Sequence, residues 1–217
     1  MAKRLKQPGG GGGEPRILHE GFSLVEAMCA GEDVHNCLFE NERIDGARLP
    51  AVTFDECVFR GCAITRCKAP GLRFYRSVLE GCDLSNSDLS GAVLDGVRVA
   101  GCKAVGLNLS ESRLTRVAFD ELQGRYLNLT GSAIGRTVFR KADLTEGALG
   151  DCRLRETVFE GCRLVGADLA HTMLRGIDLR GSEIDGLVVT GPELAGLVVN
   201  RLQALTLVRY LGIDVQD

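Results

Sequence analysis

Nine cysteines, three histidines and a recurring set of aspartates are the residues of this 217-residue chain whose types allow chemistry. Thiolates are nucleophiles and soft-metal ligands, and imidazoles complete most zinc sites, but both roles need several donors brought to one point. The densest run, Cys57, Cys62 and Cys67, has no histidine beside it, and His19, His35 and His171 stand far apart. Asp83, Asp88, Asp143, Asp168 and Asp178 repeat along the chain. Carboxylate pairs that perform acid–base work need a cleft to hold substrate between them. Serines and threonines do not fall next to a general base. The reading is a non-enzyme: no catalytic residues, no cofactor and no metal.

The positions of these residues follow a clock. From Phe39 to Val199 every fifth residue is apolar, through Ile44, Leu49, Phe54, Phe59 and Ile64; only Ala69, Ala104 and Gly124 are too small to be full members. A period of five is neither the 3.6 of a helix nor the 2.0 of a strand. It describes a solenoid of five-residue sides, each burying one large side chain. Two residues before each centre the chain is small: Cys57, Cys62, Cys82, Ser87, Ala92, Ser132, Ala142, Cys152. Two after it glycine recurs, as at Gly46, Gly61, Gly81, Gly91 and Gly96, where a corner needs unusual backbone angles. The five-glycine run near the N-terminus is followed by no Gly-Lys-Ser/Thr and is not a phosphate loop.

The best-preserved units are Cys-Asp-Leu-Ser-Asn (82–86), Ser-Asp-Leu-Ser-Gly (87–91) and Ala-Asp-Leu-Ala-His (167–171). They resemble the A(D/N)LXX unit of the pentapeptide-repeat family. The resemblance implies an all-β solenoid, a right-handed quadrilateral β-helix with 20 residues per coil. The sequence tests that coil length. Centres 20 apart at 39, 59, 79, 99, 119, 139 and 159 are Phe, Phe, Leu, Val, Phe, Phe and Phe, so five of the eight phenylalanines share one face. About eight coils at roughly 4.8 Å per rung make a rod about 40 Å long. On this frame eight cysteines (37, 57, 62, 67, 82, 102, 152, 162) occupy the small slot two before a centre and act as small hydrophobes. Cys62, Cys82 and Cys102 stack on successive coils, within bridging distance, but a reducing compartment keeps them as thiols.

Residues 1–15 read as a disordered, basic, Gly-rich tail. Residues 16–36 read as an N-terminal cap or irregular first coil, with a short helix possible over Ser23–Ala30, and residues 37–200 as the β-helix. Residues 201–217 change period: Leu202, Leu205, Val208 and Leu211 recur at helical spacing. Asn200 is a candidate N-cap with Gln203 three residues on, and Gly212 with Ile213 behind it has the form of a helix stop. This C-terminal helix either caps the last coil or forms a homodimer. The net charge of −3 excludes a dominant electrostatic attraction to nucleic acid or membrane. No apolar run is long enough to span a membrane and no signal-peptide core is visible, so the expected location is cytoplasmic.

Partner binding is left to the outer faces. The face centred on 54, 74, 94, 114, 134, 154 and 174 carries Arg73, Arg76, Arg113, Arg116, Arg136, Arg153, Arg155 and Arg175 beside its centres and reads as basic in its middle. The phenylalanine face carries Val58, Val78, Val138 and Val158 just before its centres, an outward apolar stripe interrupted by Arg98 and Asp178. The C-terminal stretch Leu202-Gln203-Ala204-Leu205 … Leu211-Gly212-Ile213-Asp214-Val215 is similar to the end of the topoisomerase-protection (Qnr-like) branch of the family. That similarity implies a dimer joined through C-terminal helices, and a DNA mimic that engages DNA gyrase. The unbroken repeat and the mild charge of this chain depart from that branch, which carries loops and an acidic surface. The expected function is a protein-binding rod with gyrase or another topoisomerase as its most specific partner. The alternative is an immunity or adaptor protein that sequesters a toxin or effector; a rod without a dedicated partner is the third possibility.

Overall fold

A computed structural model describes residues 23–213 apart from Glu32. The tail at residues 1–15 lies outside the described residues. The first element is α1 (Leu24–Ala30), capped by Ser23, whose hydroxyl accepts from the Glu26 N–H. It buries Leu24, Ala27 and Met28.

From Val34 the chain winds as a four-sided parallel solenoid. Face I is a seven-stranded ladder running from Val34–His35 through Thr53–Asp55 and Arg73–Tyr75 to Arg153–Arg155. Face II is a second ladder of seven, from Leu38–Glu40 to Val158–Glu160. Phe39 pairs with Phe59, and Phe119 with Phe139 and Phe139 with Phe159, so each coil takes the 20 residues expected. Seven strands enclose six full turns, fewer than the eight counted from the repeat. Beyond the ladders the same step continues only as isolated bridges, the last being Asp178 with Val198. On face I the ladder ends before Met173–Arg175, and the rung after that is a 3-10 turn at Pro192–Leu194.

Faces III and IV hold one strand pair, Arg43–Asp45 with Ala63–Thr65, and then isolated bridges joined by turns. The repeated aspartates and asparagines account for part of the difference. Oδ1 of Asp83, Asp88, Asp143 and Asp168 accepts from the backbone N–H two residues on, at 2.9–3.1 Å, and Asn108 and Asn128 do the same. This local bond holds a turn in place of extended strand. Faces I and II carry Val, Thr, Arg and Ala at the equivalent position, among which β-branched side chains favour the pleated surface.

Corners recur at every fifth residue from Asn36 to Gly196, with φ in the left-handed region at all of them except Ala51 and Gly181. At some corners glycine also leaves room for a neighbouring side chain. A Cβ on Gly61 would lie 2.6 Å from Asn41 Oδ1, and one on Gly106 2.8 Å from Asn86 Oδ1. Inside, Phe119, Phe139 and Phe159 stack at 4.8 and 5.1 Å with rings within 9° of parallel. Phe39, Phe54, Phe59 and Phe74 interlock at the other end by stacked and edge-on contacts.

The slot two before each centre selects for small donors. Ser87, Ser132 and Thr172 donate to the carbonyls of Ile64, Leu109 and Leu149 on the preceding coil, at 2.6–2.9 Å. Cys62 and Cys162 thiols reach the equivalent carbonyls of Phe39 and Phe139 at 3.3 Å. All nine cysteines are free, and the eight in the slot are buried. Burial pushes the Cys57, Cys152 and Cys162 thiols up to about 11, so these sulfurs are neutral packing groups at physiological pH.

Candidate partner-binding surfaces

The arginines of face I divide into two kinds. Arg76, Arg116 and Arg136 occupy left-handed corners, with φ of 47°, 54° and 51°, a conformation that costs a non-glycine residue roughly 1 kcal/mol. Each is tied to a carboxylate of its own face. Arg76 Nε donates to Glu56 at 3.0 Å and its Nη2 pairs with Asp55. Arg116 pairs with Asp95, and Arg136 Nε lies 3.4 Å from Glu156. Their charge is neutralised locally.

Arg73, Arg113, Arg153, Arg155 and Arg175 are exposed, and among the described residues none of them has an ion pair or side-chain hydrogen bond. Arg73, Val93, Arg113, Ala133 and Arg153 are consecutive members of one column. At roughly 4.8 Å per rung their guanidinium groups recur about every 10 Å along the rod. The rung between Arg113 and Arg153 is Ala133-Ile134-Gly135, which presents only a methyl group and backbone outward. Met173, one rung beyond Arg153, is 58% exposed. Glu111 and Asp151 stand at the corners two residues before Arg113 and Arg153.

The valine stripe of face II is less open than its spacing suggests. Val58 and Val138 are buried, with 3% and 5% exposure, and Val78 and Val158 are half-buried. Strands stacked this closely cover each isopropyl group from above and below. Beside the stripe runs a feature that the sequence reading missed, an ionic ladder along the rod. Arg60 bridges Glu40 and Glu80, Arg98 bridges Glu80 and Asp120, and Arg140 bridges Asp120 and Glu160, at 3.0–3.7 Å. Its signal was present as a charge that alternates every 20 residues just after the centres: Glu40, Arg60, Glu80, then Asp120, Arg140, Glu160. Each exposed pair is worth well under 1 kcal/mol, but the network leaves face II with little net field.

Two models of one repeat family match the chain: a pentapeptide repeat region over residues 72–146 and pentapeptide repeats in eight copies over residues 148–181, together about half of it. The chain is a pentapeptide-repeat protein. Among solved pentapeptide-repeat structures it is similar to full-length QnrB1, a plasmid-mediated fluoroquinolone resistance protein, at 19% identity over 84% of this chain and 100% of that one, with a TM-score of 0.49. It is also similar to HetL, a pentapeptide-repeat protein involved in heterocyst differentiation regulation from the cyanobacterium Nostoc, at 16% identity over 73% and 90%, with a TM-score of 0.29. Rfr23 from the cyanobacterium Cyanothece matches at 14% identity over 82% and 97%, with a TM-score of 0.26. At these values the likeness stays with the repeat and assigns no partner. No curated protein matches the sequence.

The C-terminal end of this pentapeptide-repeat rod is closed by α2 (Arg201–Leu207) and a 3-10 segment, Val208–Leu211. Asn200 caps α2 in a reciprocal capping box with Gln203. The Gln203 carboxamide then donates to the carbonyls of Leu179 and Ser182, at 2.8 and 2.7 Å, satisfying acceptors that a further coil would otherwise take. The Tyr210 hydroxyl donates to the Leu187 carbonyl, and Leu207 is buried. Leu202 and Leu205 point away, 75% and 52% exposed, as does Ile213 at 51%, while Val208 is half-buried. Leu211 ends the 3-10 segment, and Gly212 follows it in the left-handed conformation expected of the stop. A buried carboxylate finishes the last turn. Glu193, 1% exposed, accepts from the N–H of His171 at 2.7 Å and from both the N–H and the hydroxyl of Thr190, at 3.1 and 2.6 Å. Burial by itself would raise this carboxyl, but these hydrogen bonds hold it down at about 2.

Among the described residues no helix is long and apolar enough to cross a membrane, and no three His, Cys, Asp or Glu side chains converge as a metal site.

Proposed function

We propose that this protein is a non-enzymatic rod that binds another bacterial protein through face I, with DNA gyrase or a related topoisomerase as the most specific partner. The observation that carries the reading is the line of unpaired, exposed arginines Arg73, Arg113, Arg153, Arg155 and Arg175, with Met173 exposed among them. Arginine and methionine are enriched at protein interfaces, and a guanidinium fork suits an acidic partner surface. The charge of this face argues for contact with an acidic region of the partner and against imitation of duplex DNA. The corner arginines Arg76, Arg116 and Arg136 then hold the face in shape, and the buried and half-buried valines of face II serve packing. The exposed Leu202 and Leu205 offer a second apolar surface at the end of the rod, which suits a homodimer through α2. Free cysteines throughout fit a reducing cytoplasm.

The test is a supercoiling assay with purified gyrase, paired with retention of gyrase subunits on the immobilised protein. Wild-type protein is expected to bind gyrase and alter supercoiling, and the double variant Arg153→Glu/Arg155→Glu to lose both effects while keeping its melting midpoint. No binding and no change in supercoiling with wild-type protein would refute the gyrase reading. Specific retention of a toxin or effector in its place, lost in the same variant, would support the sequestering role.

A further inference from the structure

The interior of the rod is unevenly filled. Rings occupy both ends, Phe39, Phe54, Phe59 and Phe74 in the first coils and Phe119, Phe139 and Phe159 in the later ones. Between them the centres are Leu79, Leu84, Leu89, Leu94, Val99, Ala104, Leu109 and Leu114, with no ring at all. The three undersized centres have different neighbours. Ala69 belongs to the coil that runs through Phe54, Phe59 and Phe74, whose rings reach each other at 5.1–5.7 Å. At Gly124 the slot two before carries Leu122 where other coils carry a small residue. Its Cδ2 and that of Leu144 would lie 3.2 and 3.4 Å from a Cβ at 124, so the large and small positions have exchanged and the space is taken. At Ala104 the slot holds Cys102, also small.

Ala104 borders an interior cavity of about 30 Å³, bounded by Phe74, Leu79, Val99, Leu107 and Phe119 among twelve side chains, all apolar. The volume would admit a water molecule, but a buried water needs two to four polar partners and this wall supplies none. Close-packed interiors hold few voids of this kind, because every lining atom forfeits its dispersion contacts on one side. A guest that restores those contacts without asking for a hydrogen bond binds.

We infer that the middle of the rod contains a binding site for a small apolar guest, of the size of a xenon atom or a one- to two-carbon hydrocarbon, in the cavity that Ala104 borders. Shape and the absence of polar walls set its selectivity, and polar molecules of equal size are rejected. Backbone hydrogen bonds tie this side to both neighbouring coils, from the Ala104 N–H to the Gln123 carbonyl and from the Lys103 N–H to the Cys82 carbonyl, so entry needs a transient opening of those coils.

Xenon is the probe. In methyl-labelled wild-type protein under xenon pressure, saturable shifts are expected at Val99, Leu79, Leu84 and Leu107, with the methyls of Leu169 and Leu179, coils away, unmoved. Ala104→Val and Ala104→Leu place side chains in the void, the latter restoring the residue found at Leu84 and Leu144 of the same column. Both are expected to weaken xenon binding at least tenfold. Testing both keeps the result readable should the larger one overpack the site. Wild-type methyl groups that do not respond around Ala104, or xenon shifts of unchanged strength in a folded Ala104→Val variant, would overturn the inference.

Discussion

Replacing Phe139 with alanine tests the physical basis of the rod most directly. The ring is fully buried and lies between Phe119 and Phe159, 4.8 and 5.1 Å away and nearly parallel to both. Losing a buried aromatic side chain forfeits about 2 kcal/mol of transfer free energy. Each of the two lost stacking contacts is worth about 1 kcal/mol. The total falls within the ~3–5 kcal/mol that Phe→Ala changes cost in well-packed cores. Little relief is available by collapse, since the backbone on either side is pinned to the coils above and below by Phe119–Phe139 and Phe139–Phe159 pairing. The assay is guanidinium unfolding followed by far-UV circular dichroism, with the slope m recorded alongside the midpoint. Because each coil contacts only its neighbours, a weakened coil can also uncouple the rod into two segments. A lower m with a broadened transition would report that uncoupling. A loss below about 1 kcal/mol at unchanged m would refute the view that the aromatic ladder is a principal source of stability.

Further predictions concern the C-terminal end. Glu193 titrates at about 2 in the folded rod, below the ordinary 4.5 of an unfolded glutamate. Its contribution is therefore complete above about pH 4.5 and is lost as pH falls from there toward 2. Glu193→Gln is expected to lower stability by about 1–3 kcal/mol at pH 7 and to narrow the gap to wild type on acidification, as read by melting midpoints across that range; a gap that does not change with pH would contradict the assignment. Leu207→Asp places a charge at a buried position of α2, whereas Leu205→Asp alters a side chain that is 52% exposed. The first is expected to lower the melting midpoint and the second to leave it in place. If α2 joins two rods, Leu205→Asp also halves the mass measured by light scattering, and equal midpoints in the two variants would show that α2 does not seal the rod.

Much of the architecture was legible in the chain because a repeat acts on every residue alike. The five-residue period, the 20-residue column and the phenylalanine face are statements about backbone geometry, and a solenoid imposes that geometry regardless of what decorates it. The small slot was legible for the same reason, although its preference for Cys, Ser and Thr became explicable only once their donors were seen to reach the carbonyl of the coil before. The count of eight coils exceeded the six turns of the strand ladders because a column position says nothing about whether its backbone is extended or turned. Asp83, Asp143 and their like, which bind their own backbone, contribute to that choice.

The face assignments fared differently. A column places eight arginines on one face, but which are neutralised depends on reach. Arg76, Arg116 and Arg136 leave left-handed corners toward carboxylates of an adjoining coil, and Arg73, Arg113 and Arg153 find none. Arg98 crosses from the valine column to bridge Glu80 and Asp120, filling the gap that Ala100 leaves in the ionic ladder. The void beside Ala104 likewise depends on what several coils supply at once, since at Gly124, smaller still, Leu122 and Leu144 fill the space. The sequence by itself determined the period, the coil and the identity of the buried column, because these follow from local backbone repetition. Tertiary structure alone decided which charges stay free, which valines are covered and where the core is hollow, because each of these depends on side chains of different coils meeting across space.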